Sequence, residues 1–184
     1  MYYDKFASNE FLAFLSRISY KSSRILFQRR AKAMIIEPIF RNRQTKVVRN
    51  KVFVLMPFTE EWSNRIWKKI LQPLISDSGM EAKRADDLYG RDIMEDIWTA
   101  LCEAQIVVAD ITGRNANVFY ELGIAHTLGK SVILLSQRSQ DIPFDLNRYR
   151  HIIYQDNLDG YELLRRDLPL AIRAILDEAN LLLQ

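Results

Sequence analysis

From Val52 onward, short apolar runs alternate with longer stretches whose apolar residues recur at helical spacing. Val52-Phe53-Val54-Leu55-Met56 is a continuous apolar run, the mark of a strand buried on both faces. Trp62, Ile66, Trp67, Ile70, Leu71 and Leu74 follow at helical spacing, and Gly79 closes that helix. Met80 to Asp86 reads as a more polar strand, and Asp92 to Ala104 as a second helix. Ile106-Val107-Val108-Ala109 is the most apolar strand and ends in Asp110. Asn117 to Leu128 predicts a third helix stopped by Gly129, and Val132–Leu135 and His151–Tyr154 predict two further strands. A closing helix is expected from Tyr161 to Leu183, with Leu163, Leu164, Leu168, Ile172, Ile175 and Leu176 inward and a kink at Pro169.

Strands alternating with helices predict an α/β fold with a parallel sheet and right-handed crossovers. The expected architecture is a flavodoxin- or Rossmann-like three-layer sandwich with five strands in the order 2-1-3-4-5. The polar second strand, with Glu81, Lys83 and Arg84, suits an edge, and the apolar first, third and fourth suit the centre.

Residues 1–50 read differently. Phe6, Phe11, Leu12, Phe14, Leu15, Ile18, Ile25, Leu26 and Phe27 recur at helical spacing between basic residues. One or two amphipathic helices are expected, ended at Glu37-Pro38, with Arg41-Asn42-Arg43-Gln44 as a polar linker. The domain boundary is therefore placed at 50/51, with an N-terminal helical arm and linker over 1–50 and the α/β domain over 51–184.

Charge sharpens this division. Residues 1–50 carry 11 Lys and Arg against 3 Asp and Glu, a net +8; residues 51–184 carry 15 against 20, a net −5. The basic arm is too short for its own core. It calls for a docking surface on its own domain, a second subunit as in a homo-oligomer, a membrane or a nucleic acid, or else it is a solvated helix face. No apolar run approaches the roughly 18 residues of a membrane span, and no signal segment is seen, so the cytoplasm is expected. The single cysteine, Cys102, allows no internal disulfide and reads as a small core or subsurface residue. His126 and His151 read as structural, no metal-ligand spacing appears, and no Walker loop or Gly-x-Gly-x-x-Gly is present. No cofactor is expected.

In a sheet of this order, ligands bind beyond the carboxyl ends of the strands where the order reverses, between the first and third. The segments expected there are Met56-Pro57-Phe58, Asp86-Asp87-Leu88-Tyr89-Gly90 and Asp110 to Asn117. They converge carboxylates, amides and aromatics. Met56, Phe58 and Tyr89 are candidates for a stacking wall of the site, or are core and rim residues. Asp87, Gly90, Asp92, Asn115 and Asn117 complete the substrate-binding candidates. Asp110 would fix a ligand hydroxyl or the loop, or cap the following turn. Glu121 is the unusual residue. Its helical neighbours are Asn117, Val118, Ile124 and Ala125, so it is either a carboxylate on an apolar stripe or, in a shifted register, a surface glutamate. Gly123 beside it suggests a close approach of helix to strand.

The run Ala104-Gln105-Ile106-Val107-Val108-Ala109-Asp110-Ile111-Thr112, with Asn117-Val118-Phe119-Tyr120-Glu121-Leu122-Gly123-Ile124-Ala125 after a short loop, resembles the signature of the nucleoside 2-deoxyribosyltransferases. It is equally similar to the nucleotide N-glycosidases of that superfamily. The resemblance spans about residues 51 to 155 and is densest over 104–125. It implies that Glu121 attacks the anomeric carbon of a ribose or deoxyribose and displaces the base. It also implies an upstream helical aspartate assisting base departure, which Asp96 fits best and Asp92 fits as the alternative. Related transferases are oligomers. The sequence departs from the family in two places. Pro57-Phe58-Thr59-Glu60-Glu61 stands where the nucleotide-hydrolysing relatives have a glycine-rich phosphate loop. Asn115 stands where the transferases carry an acid, and Arg114 beside it is a candidate anchor for an anionic group.

Three functions compete at this level: cleavage or transfer of a nucleoside or nucleotide N-glycosyl bond, with nucleotide depletion as one use; hydrolysis of NAD by a TIR-like domain; and non-catalytic nucleotide sensing. The expected small-molecule partner is a nucleoside, a nucleotide or an NAD-like dinucleotide.

Overall fold

The structure, a computed structural model, describes residues 38–41, 46–88 and 90–181. The chain divides into two compact units, Met1–Pro38 and Ile39–Gln184. The helices expected over residues 1–36 lie outside the described residues, as do the linker residues 42–45.

The second unit is an α/β sandwich on a five-stranded parallel sheet in the order β2-β1-β3-β4-β5. The strands are β1 Lys51–Leu55, β2 Glu81–Arg84, β3 Ile106–Asp110, β4 Ser131–Ser136 and β5 His151–Ile153. The order is the one the apolar content of the strands predicts. Every residue of β3 is buried, whereas only Arg84 is buried in edge strand β2. Val52 pairs with Ile106 and Ala109 with Leu55, which fixes the centre of the sheet.

Helix α1 begins as Glu61–Ile66, passes through a π-helical turn at Trp67–Leu71 and continues as Gln72–Asp77. Helix α2 is Ile93–Glu103, α3 is Ala116–Thr127 and α4 is Leu158–Leu181. One core lies under α1 and α4, with Val52, Val54, Met56, Ile70, Leu164 and Ile172. The other lies under α2 and α3, with Phe53, Leu55, Ile97, Leu101, Val118 and Leu122. Alternate residues of β1 thus serve opposite layers, as the two-residue period of a strand requires. α3 stops at Gly129, whose φ of +67° lies in the left-handed region.

Three expectations need correction. α4 starts at Leu158 rather than Tyr161, and runs unbroken through Pro169. Gly123 is exposed, and a side chain there would meet open space, so it does not bring α3 close to a strand. The α/β unit also begins before residue 51. Phe40 stacks on Trp98 of α2 with ring centroids 4.7 Å apart, and the Arg41 amide donates to both carboxylate oxygens of Glu95, at 2.8 and 2.9 Å. No helix among the described residues is long and apolar enough to cross a membrane.

Candidate active site at the carboxyl end of the sheet

The end of β3 is a hydrogen-bonded knot. Asp110 is completely buried. Its Oδ1 accepts from the Thr112 amide at 3.0 Å and the Thr112 hydroxyl at 2.5 Å, and its Oδ2 accepts from the Tyr154 hydroxyl at 2.5 Å. Burial raises the Asp110 pKa against the pull of these donors. The Thr112 hydroxyl also accepts from the Gln137 amide at 2.9 Å, so one carboxylate joins the ends of β3, β4 and β5. Both of its oxygens are engaged inside the protein, and Asp110 ties the loop that follows β3. The turn-cap alternative is the geometry found.

That loop has an uncommon backbone. Gly113 and Arg114 have φ of +73° and +56°. For arginine this left-handed conformation costs about 1–2 kcal/mol. Neighbouring contacts hold it. The Gly113 amide donates to Oδ2 of buried Asp141 at 2.9 Å, and the Arg114 guanidinium donates to the Gln140 carbonyl. Arg114 is otherwise exposed. Asn115 is the N-cap of α3, its side chain accepting from the Asn117 and Val118 amides at 3.0 and 3.3 Å. Asp92 caps α2 in the same way, through the Met94 and Glu95 amides at 3.1 and 3.3 Å. These two residues, read from the sequence as substrate contacts, are helix caps here.

Glu121 lies in the second turn of α3. Val118, Leu122 and Ala125 face the sheet. At about 3.6 residues per turn, Glu121 and Ile124 fall on one flank of that stripe and His126 on the other. His126 stacks on Tyr149, just before β5, with ring centroids 5.2 Å apart. The Glu121 flank therefore faces the α2 side of the layer. Glu121 is partly buried and has no hydrogen-bond or ion-pair partner among the described residues. Burial alone pushes its pKa up to about 7.

Asp96 occupies different ground. With Ala100 and Glu103 it forms the flank of α2 that lines a cleft of about 260 Å³ against β2. Asp87, Leu88 and Gly90 line the same cleft, and Glu121 does not. Gly90 is packed on Asp96 so closely that a Cβ there would come within 2.0 Å of the carboxylate. The structure thus gathers Asp87, Gly90 and Asp96 on the β2 side, and Arg114, Asn115, Asn117 and Glu121 on the β3 side. Phe58 stands exposed after β1, while Met56 is buried in the core and is not part of an open wall. Tyr89 lies outside the described residues.

Several organising residues carry no signal of their own in the sequence. Arg84, at the end of β2, is wholly buried. Its guanidinium is ion-paired with Asp86, donates to Asn64 Oδ1 at 2.7 Å and lies over the Trp67 ring at 5.6 Å. Tyr154 and Asp141 likewise act on partners from distant segments. Among the described residues no group of His, Cys, Asp and Glu could hold a metal ion.

No protein-family model matches the chain, and no curated protein matches it. Solved structures similar to it include the CMP N-glycosidase BcmB of Clostridium botulinum, at 23% identity and a TM-score of 0.47, covering 64% of this chain and 98% of that one. A 2-deoxyribosyltransferase from Leishmania mexicana has 16% identity and a TM-score of 0.45, covering 61% and 76%. One from Bacillus psychrosaccharolyticus has 20% identity and a TM-score of 0.43, covering 61% and 95%.

Proposed function

We propose that this protein cleaves or transfers the N-glycosyl bond of a nucleoside or nucleotide, with Glu121 as the nucleophile. One observation carries the reading: a partly buried carboxylate without a partner among the described residues, on the flank of α3 beside the strand end where the sheet order reverses. A carboxylate that is only structural is normally given donors, because a desolvated charge without them destabilises the fold.

The substrate lies along the strand order. Its sugar sits over the ends of β1 and β3, against Glu121. Its base lies over the ends of β1 and β2, between Phe58 and the mouth of the cleft that Asp87, Gly90 and Asp96 line. Ionised Glu121 attacks the anomeric carbon as the carbon–nitrogen bond breaks, and the bonding pair leaves on the base nitrogen. Asp96 gives that nitrogen its proton. Water, or a second base, then attacks the anomeric carbon of the glycosyl ester and gives its proton to Asp96; the carbon–oxygen bond to Glu121 breaks, which releases the sugar or a new nucleoside and restores both carboxyl groups. Both the β1–α1 loop, which lacks glycine, and exposed Arg114 favour nucleosides, or anionic substrates held at Arg114, over a phosphate bound after β1.

The test is incubation with a panel of nucleosides, nucleoside monophosphates and NAD, with free base measured by chromatography. Base release from a nucleoside or nucleotide is expected. Turnover of NAD alone would favour the TIR-like reading, and no release from any of them would favour a non-catalytic binding module. A preference for monophosphates that survives Arg114→Ala would contradict the anchoring assigned here.

A further inference from the structure

Arg84 is the largest side chain wholly withdrawn from solvent, and it sits at the carboxyl end of an edge strand whose other residues are not buried. A buried guanidinium is expensive unless its donors are used. Here they are used to join two loops. Nε and Nη2 hold the Asp86 carboxylate, with Nε to Oδ1 at 2.5 Å, and the Arg84 amide donates to Asp87 Oδ2 at 2.9 Å. Nη2 also donates to Asn64 Oδ1 at 2.7 Å. Asn64 passes the constraint on, donating from Nδ2 to the Phe58 carbonyl at 2.9 Å. Ser63, buried beside it, donates to the Pro57 carbonyl. The β1–α1 loop is therefore held by side chains gripping its carbonyls.

We infer that Arg84, acting through Asn64, is a positioning residue that sets the exposed ring of Phe58 and with it the discrimination between nucleobases. The inference rests on the proposed placement of the base beside Phe58. The geometry gives the guanidinium this office for three reasons. Its planar fork holds Asp86 through Nε and Nη2 while Nη2 also reaches Asn64, a fixed bidentate geometry that the ammonium of a lysine does not reproduce. It is wholly buried, with the centroid of the Trp67 ring 5.6 Å from its guanidinium carbon. Its remaining nitrogen, Nη1, has no hydrogen-bond partner among the described residues, so the donors that are used are the ones that join the two loops. A purely stabilising side chain at this point of an edge strand would be cheaper as an apolar one.

The experiment measures binding constants of the full chain for adenosine, guanosine, cytidine and uridine by calorimetry, in wild type, Asn64→Ala, Arg84→Lys and Phe58→Ala. Asn64 is only partly buried, so its replacement frees the loop without removing the buried charge. Wild type should discriminate among the four. Asn64→Ala should lose about tenfold of that discrimination, Phe58→Ala should reproduce the loss, and Arg84→Lys should move in the same direction. Hydrogen exchange of the 58–60 amides should rise in Asn64→Ala. If Asn64→Ala keeps wild-type discrimination, the positioning role is overturned while base release by Glu121 stands. If wild type binds all four alike or binds none, there is no base-reading wall and the inference fails, whatever the base-release assay gives.

Discussion

The knot at the end of β3 and the flank of α3 each take a carboxylate out of water, and they treat it in opposite ways. Asp110 is surrounded by donors from Thr112 and Tyr154, while Glu121 has none among the described residues. Desolvation raises both pKa values. Donors turn one of these desolvated charges into a structural tie. Their absence leaves the other costly to the fold and available to a substrate. A buried charge is thus diagnostic only once its partners are counted.

The contrast can be broken first at Asp110. Asp110→Ala should cost about 2–4 kcal/mol of stability, because the Tyr154 hydroxyl and the Thr112 donors are left buried and unpaired. Urea unfolding measures this, and a loss under 1 kcal/mol would mean that the knot is not structural. Tyr154→Phe removes one donor to the same carboxylate. It should cost roughly 1.5–3 kcal/mol, the range for a hydrogen bond to a charged group.

The opposite sign is expected at Glu121. Its folded pKa of about 7 lies above the ordinary 4.5, so the folded state binds the proton more tightly. Stability is unaffected while both states are protonated, falls as pH rises from 4.5 to 7, and stays reduced above. Glu121→Gln should therefore be more stable than wild type at pH 8, by roughly 1–2 kcal/mol after allowance for partial solvation. The gap should close by pH 4. An unchanged gap across that range would show that Glu121 is not desolvated.

The smallest effect concerns the loop between the two carboxylates. Arg114→Gly relieves the left-handed arginine but frees the unfolded chain, so stability should change by less than about 0.5 kcal/mol. Affinity for nucleoside monophosphates should fall severalfold, and affinity for nucleosides should hold. Calorimetry checks the binding side. Equal effects on both ligand classes would remove Arg114 as an anion anchor.

Local patterns made the framework readable. Buried strands are continuous apolar runs, an edge strand is polar, and Gly79 and Gly129 mark the helix ends. The apolar neighbours Val118, Ile124 and Ala125 put Glu121 on an apolar stripe of α3; the buried residues are Val118, Leu122 and Ala125, which leaves Glu121 and Ile124 on the flank. What stayed hidden depends on partners from far along the chain. Arg84 looks like a surface residue of a polar strand until Asn64 and Trp67 close over it. Asp141 gains meaning from the Gly113 amide, and Tyr154 from Asp110 and Gln137. Asn115 and Asp92 drew notice as polar residues near a crevice, whereas short polar side chains just before helices are most economically caps. For Asp96, the sequence showed a helical acid near a strand, but not that its flank of α2 faces β2.

The most direct test of the whole account is the pH profile of base release by wild type beside Glu121→Gln, on the best substrate of the panel. Wild-type release should rise with pH as Glu121 ionises, with a midpoint near 7. Glu121→Gln, folded and still able to bind the substrate, should be slower by at least about a thousandfold at every pH, the scale of losing an essential nucleophile. Release by Glu121→Gln at the wild-type rate, with the same midpoint, would contradict it.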